Sequence, residues 1–161
     1  MEKRRIMIGV IGASRADDEA VALAEEVGRG VARGGGILVC GGLGGVMEAA
    51  ARGAKEEGGV TVGVLPGQRR DHANKYIDIP IVTGMSFARN IIIIRSSNVV
   101  IAVKGASGTL SEIAYALQLD VPVVGLKTWR LSEISDIGKR IHEEDDPSSA
   151  VRKAFELAGS K

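Results

Sequence analysis

Short apolar runs rich in β-branched residues alternate with longer amphipathic stretches along the chain. Residues 6–11 form the first apolar run, which ends at Gly12-Ala13-Ser14. Across 16–33, Ala20, Leu23, Ala24, Val27 and Val31 recur at the spacing of one helix face. Asp17, Asp18 and Glu19 fall in the first turn of that helix, where negative charge suits the dipole, and Gly34-Gly35-Gly36 stops it. A strand follows at 37–40, then the turn Gly41-Gly42-Leu43-Gly44-Gly45. An Ala-rich helix at 46–57 is closed by Gly58-Gly59, and a third strand at 60–65 ends at Pro66-Gly67.

Residues 68–76 are polar and aperiodic, so they read as a solvated loop. Residues 77–82 read as an edge-like strand, because Pro80 cannot donate a ladder bond. The run Ile91–Ile94 favours a strand by propensity. However, 99–103 follows at once and is the better strand, and two parallel strands need a crossover. A helix is therefore predicted over 87–97. A turn at 105–109 leads to a helix at 110–119, with Leu110, Ile113, Ala114 and Leu117 on one face, and the last strand is 122–126. The remainder reads as helical and charged, with a break at 145–147. This alternation predicts an α/β fold: a single-domain, Rossmann-like, doubly wound and mostly parallel sheet over residues 1–161, with helices on both faces. The near-unbroken apolar runs 99–103 and 122–126 fit strands buried on both sides.

Composition narrows the function classes. The 21 basic and 20 acidic residues leave a net charge of +1, so no global field favours nucleic acid or an anionic membrane. Aromatics are only 3%, which disfavours a single-strand stacking platform. No apolar run reaches the length of a membrane span, and the apolar stretch after the basic start is interrupted too early for a signal peptide. The single cysteine, Cys40, excludes an internal disulfide framework, fits a reducing cytoplasm and reads as a small buried hydrophobe. Two distant histidines and one cysteine make no metal cluster. His72 falls in the polar loop, and His142 reads as a surface residue of the charged C-terminal helix.

Glycine stands out, at 22 of 161 residues, about twice the usual share. Some glycines are helix stops. Others gather in three turns that end a strand and open a helix: Gly9-x-x-Gly12-Ala13-Ser14, Gly41-Gly42-x-Gly44-Gly45 and Gly105-x-x-Gly108-Thr109. In a doubly wound sheet these turns share the carboxyl edge, where such sheets bind ligands. Glycine lets a ligand approach the backbone amides, and helix N-termini suit phosphate. Ser14, Ser107 and Thr109 add hydroxyls. The phosphate-site candidates are thus Gly12, Ser14, Gly41, Gly42, Gly44, Gly45, Gly105, Ser107, Gly108 and Thr109. Met47 follows the second turn, where packing competes with ligand contact. Lys104 ends a strand beside the third turn, where it adds a charge or points to solvent. No strict G-x-G-x-x-G and no G-x-x-x-x-G-K-[ST] occurs, so neither a standard dinucleotide fingerprint nor a P-loop is present.

Two motifs carry a family resemblance. Residues 40–48 read C-G-G-L-G-G-V-M-E and residues 104–112 read K-G-A-S-G-T-L-S-E, with an upstream arginine in S-F-A-R-N at 86–90. These resemble the motifs G-G-G-x-x-G-x-M-G and P-G-G-x-G-T-x-x-E of a Rossmann-like superfamily. That superfamily holds the Lonely Guy cytokinin-activating phosphoribohydrolases, proteins mislabelled as lysine decarboxylases, the molybdenum-cofactor carrier protein and the Rossmann-like domain of the DNA-processing protein DprA. The resemblance spans roughly residues 6–126. It is strongest to the carrier subgroup, through A-R-N…R-S and G-T-L-S-E-I. It implies binding of a phosphorylated nucleotide-like or pterin-like ligand, with molybdenum cofactor or a nucleotide as bound molecule and no cofactor required. It also implies a homo-oligomer, dimer or tetramer, associating through the Ile91–Ile94 region.

The alternative implied by the resemblance is a nucleoside 5′-monophosphate phosphoribohydrolase. N-glycosidic cleavage passes through a ribosyl cation-like state that needs a carboxylate, as in glycoside hydrolysis. Glu112 is the candidate carboxylate, unless it only complements its helix dipole. Arg89 is the candidate phosphate clamp, since guanidinium binds phosphate bidentately; of Arg89 and Arg95, on different helix faces, at most one reaches the site. Asn90 could orient Glu112 or a ligand, or act as a cap. Departures from the family pattern are Phe87 for His, Lys104 for Pro, Ala106 for Gly, and Ser111 for the first Glu of an E-E pair. The last removes a carboxylate that the phosphoribohydrolases use and leaves the phosphate turns intact. Nothing identifies a Schiff-base lysine, so lysine decarboxylation is not expected.

Overall fold

A computed structural model describes residues 4–131 and 140–159. Seven strands form one parallel sheet in the order β4-β3-β2-β1-β5-β6-β7. They are β1 (Met7–Gly12), β2 (Ile37–Cys40), β3 (Val60–Leu65), β4 (Ile79–Val82), β5 (Val99–Val103), β6 (Val123–Leu126) and β7 (Ile141–Glu144). Five helices accompany them: α1 (Asp18–Arg33), α2 (Val46–Glu56), α3 (Arg89–Ser96), α4 (Ser107–Gln118) and α5 (Pro147–Gly159). The doubly wound architecture expected from the alternation of runs is the one found.

Strand β5 shows how the core divides. Val99, Ile101 and Val103 point into a cluster under α1, α2 and α5, while Val100 and Ala102 point into one under α3 and α4. A parallel strand covered on both faces has no polar alternation to show. The isoleucine run is helical, as the crossover argument requires: Ile93 and Ile94 are fully buried and Ile92 packs against the same cluster. Edge strand β4 pairs only with β3, and Pro80 sits there.

The C-terminal reading needs correction. Residues 141–144 are not helical but form β7, in register with β6 through Val123↔Ile141 and Val124↔His142. His142 is therefore a half-buried strand residue. The strand reads I-H-E-E, with only Ile141 buried, so a solvent-facing edge hid its periodicity. The break at 145–147 holds, and α5 starts at Pro147, a favoured first helical residue. The part of the expected helix at 132–139 lies outside the described residues. Helix α4 also starts earlier than expected, at Ser107, so Gly108 and Thr109 belong to its first turn.

Two glycines within helices have a role the sequence did not suggest. A Cβ on Gly28 would lie 1.9 Å from the Ala50 carbonyl oxygen, and one on Gly53 would lie 2.0 Å from that of Glu25. Helices α1 and α2 thus pack backbone against backbone, which only glycine permits.

Candidate functional site

The chain runs β1 to β4 toward one edge, then returns to place β5 on the other side of β1. The switch point between β1 and β5 opens a crevice at the carboxyl ends of the strands, the usual ligand position in such sheets. A cavity of about 340 Å³ lies there. The β1–α1 turn contributes Gly12, Ala13, Ser14 and Arg15; Gly41 and Met47 come from the second turn and its helix. Phe87, Arg89 and Asn90 come from the start of α3, and Ala106, Ser107, Gly108, Thr109 and Glu112 from the start of α4.

Helix α4 has no side-chain cap. Its preceding residue is Ala106, and the first helical bond runs from the Leu110 amide to the Ala106 carbonyl. The amides of Ser107, Gly108 and Thr109 are therefore left over at the positive end of the dipole. A Cβ on Gly108 would meet nothing within 4 Å, so the helix start is open on that side.

Arg89 opens α3 and is 8% exposed. Its Nη1 donates to Asn90 Oδ1 at 2.6 Å, which gives Asn90 a role in aiming the guanidinium. Its Nε is buried and has no partner among the described residues. Gly41 makes room for it: a Cβ there would lie 2.6 Å from Arg89 Nη1 and 2.8 Å from Nη2. Burial pulls Arg89 below the ordinary arginine range, partly offset by the Glu112 carboxylate, and it remains a cation at neutral pH.

Glu112 lies one turn into α4 and is also 8% exposed. It makes no hydrogen bond or ion pair among the described residues. Burial pushes its carboxyl up to about 7, against a smaller opposing pull from Arg89. The two side chains share the cavity wall without forming a contact pair. Arg15, exposed on the rim, also lacks a carboxylate partner among the described residues. Two arginines, free amides and three hydroxyls can hold an anion, and a carboxyl near neutrality can give or take a proton beside it.

The remaining candidates fall elsewhere. Gly9 is interior to β1, where a Cβ would strike Ser97 Oγ at 2.5 Å, so it is not part of the turn. Gly42, Gly44 and Gly45 shape the second turn without lining the cavity; Gly45 borders a neighbouring pocket beside Glu48 and Arg52. Gly105 and Lys104 border another. Lys104 is engaged by Asp17 at 2.7 Å and Glu19 at 2.9 Å, so its charge is already matched away from the cavity. Ser111 donates back to the Ser107 carbonyl at 3.2 Å on the exposed face of α4. The substitution at that position therefore leaves the cavity lining unchanged. Arg95 is exposed, and only Arg89 of that pair reaches the cavity. The 68–76 loop does not line the cavity either. Asn74 ties it to the second turn, its backbone amide donating to the Gly42 carbonyl at 2.9 Å and its side-chain Nδ2 to that of Leu43 at 2.8 Å. Cys40 is fully buried, as expected, and burial raises its thiol to about 11. Sequence reasoning missed Arg15 and Phe87 as lining residues. Arg15 follows Ser14 directly and could have been found from the turn; Phe87 was legible only as a departure from a motif.

A profile of the SLOG cluster4 family matches residues 5–155. An uncharacterised protein of Archaeoglobus fulgidus is 49% identical over 146 residues, 91% of this chain and 92% of that one. Among solved structures, the molybdenum cofactor binding protein of Rippkaea orientalis superposes with a TM-score of 0.90 at 34% identity, over 97% of this chain and 99% of that one. The molybdenum cofactor carrier protein of Chlamydomonas reinhardtii gives a TM-score of 0.87 at 36% identity, over 96% and 99%. With its motifs on one sheet edge and a family match along nearly its whole length, the chain belongs to the SLOG cluster4 family.

Proposed function

We propose that the protein binds a phosphorylated, nucleotide-like or pterin-like ligand in the manner of a molybdenum-cofactor carrier, with the cofactor as cargo. The observation that carries this reading is the unmet polar capacity around one cavity: the Arg89 Nε without a partner, the uncapped start of α4 and the unpaired Arg15. Evolved interiors rarely leave buried polar groups unsatisfied without a use for them. The likeness to the Rippkaea and Chlamydomonas proteins supports the pterin side of the reading. In it, Arg89 and Arg15 hold the phosphate with the amides and hydroxyls of Ser14, Ser107, Gly108 and Thr109, and Asn90 steadies Arg89. The cavity volume is at the low end of small-molecule sites, about 300–1,000 Å³. Thermal unfolding with GMP, AMP and their unphosphorylated nucleosides tests it. Stabilisation by the phosphorylated members alone is expected. No stabilisation by any phosphorylated ligand, together with no phosphorylated molecule released from the purified protein in mass spectrometry, would overturn it.

A second reading, phosphoribohydrolysis, is favoured by one feature: an unpaired carboxyl near neutrality beside the anion-holding groups. Glu112 would orient water at the anomeric carbon while Arg89 held the 5′-phosphate, so that AMP and water gave adenine and ribose 5-phosphate. Release of ribose 5-phosphate, abolished by Glu112→Gln, is the expected signature; release unaffected by that change would remove Glu112 from the role. The working form in this proposal is a cytoplasmic homo-oligomer. Ile93 and Ile94 are buried within the chain, so exposed Ile79, Ile81 and Val82 on edge strand β4, rather than the isoleucine run, support self-association, which sedimentation would measure.

A further inference from the structure

Phe87 is the most exposed large apolar residue among those described, at 88%. It is also the one aromatic among the residues lining the cavity. The other aromatics are accounted for. Phe155 packs under Gly34 and Gly36, Tyr76 packs against the core, and Trp129 donates its Nε1 proton to the Ala106 carbonyl. Tyr115 lies on the outer part of α4 away from the cavity.

Phe87 is not simply left on a slack loop. The segment before it is tied down: Gly84 donates to the Gly67 carbonyl at 2.9 Å, Ser86 to that of Pro66 at 3.0 Å, and Ala88 to that of Met85 at 3.1 Å. Ser86 holds a φ of 53°, a left-handed conformation that costs a residue with a Cβ. The short 3-10 turn Ser86–Ala88 thus spends backbone strain to hold Phe87 outward, immediately before Arg89 turns inward. A strained backbone at a cavity wall, presenting an apolar ring to water, gains nothing for the fold.

We propose that Phe87 is the platform on which the flat heterocycle of the ligand stacks, while Arg89, two residues on, grips the same ligand's phosphate; this rests on the phosphorylated-ligand reading. One short turn would then read both ends of a molecule that has a ring and an anion. The ligand class is narrowed to phosphorylated compounds carrying a planar heterocycle, and simple sugar phosphates become weaker ligands.

Titration calorimetry on the full chain with GMP and with ribose 5-phosphate tests the inference. Guanine shares the 2-amino-4-oxopyrimidine ring of pterins, and ribose 5-phosphate keeps the phosphate without a ring. The protein should bind GMP more tightly. Phe87→Ala should weaken GMP by about tenfold, within the range for losing one stacked base. It should leave ribose 5-phosphate and the melting temperature unchanged, and Phe87→Trp should restore GMP binding. GMP affinity unaltered in Phe87→Ala, or both ligands weakened alike, would overturn the stacking role. So would a shift in sedimentation on Phe87→Ala, which would assign the ring to a contact between copies. A protein that binds neither ligand would overturn the phosphorylated-ligand reading and this inference with it. Binding of both that ignores Phe87 would overturn this inference alone.

Discussion

Helices α1 and α4 both start at the carboxyl edge of the sheet, after the neighbouring strands β1 and β5, and their starts are treated in opposite ways. At α1, Asp17 caps the helix by accepting from the Ala20 amide at 2.8 Å. Lys104 bridges Asp17 and Glu19, and Lys127 closes on Glu19 at 2.7 Å. Asp17, Glu19, Lys104 and Lys127 are thus all matched to one another at that end. At α4, Ala106 offers no cap, and among the described residues Glu112 has no partner and Arg89 keeps an orphan Nε. Both turns carry the small and polar residues that read as phosphate turns. Both border the cavity, but only at the α4 start do the helix-end groups stay unmatched among the described residues. Unmet valence, more than glycine content, marks the α4 turn as the candidate site.

Glu112→Gln gives the largest contrast between the two ends. The carboxyl titrates near 7 in the fold against about 4.5 when unfolded, so the folded state favours its protonated form. That advantage is full below about pH 4.5 and is lost as pH rises through 7; ionised Glu112 then costs up to about 3 kcal/mol. Glu112→Gln should therefore match the parent at pH 4.5 and exceed its stability increasingly up to pH 7, then level off. Chemical denaturation across pH checks this, and a gain independent of pH would sink it. By the same linkage, an anionic ligand should bind more weakly above pH 7 in the parent and lose that dependence in Glu112→Gln.

Arg89→Met comes next. It should weaken GMP by about a hundredfold, the worth of a charge-assisted contact. It should not lower stability, because it replaces a buried, unpaired charge by an apolar chain. A large fall in melting temperature with unchanged affinity would make Arg89 a structural residue and erase the comparison. Asp17→Ala should do the reverse. Losing a cap and its lysine partner should lower the melting temperature by about 2–4 °C and leave GMP affinity unchanged. Lys127→Ala should be the smallest, within about 1 °C, since exposed pairs add little. Affinity changes in either of these last two variants would mean that the matched end also serves the ligand.

The sheet and the place of the cavity were legible in the sequence because both rest on local signals. Apolar runs such as 99–103 need no partner to be recognised, and glycine turns after them point to one edge. What was not legible depends on tertiary partners. Ile141 makes a strand only because β6 offers it a ladder. Lys104 and Arg15 look alike in sequence, two cations near phosphate turns. Asp17 and Glu19 engage one and leave the other, and that choice is made by a strand-to-helix contact far apart in the chain. Gly28 and Gly53 carry no such signal either, since their need for glycine comes from the backbone contact of α1 with α2.

The pairing of β1 with β5 has a consequence for how the site comes into being. Ile8 pairs with Val99 and Gly12 with Val103, so the crevice is bounded by two strands whose joining closes a loop containing three other strands and three helices. Such long-range closure comes late and slowly relative to local structure. The chain emerging from synthesis through β4 has two glycine turns but lacks the α3 and α4 residues that line this cavity. In the proposed reading, ligand capture is restricted to molecules that have paired β5 with β1, and binding would double as a report of that step.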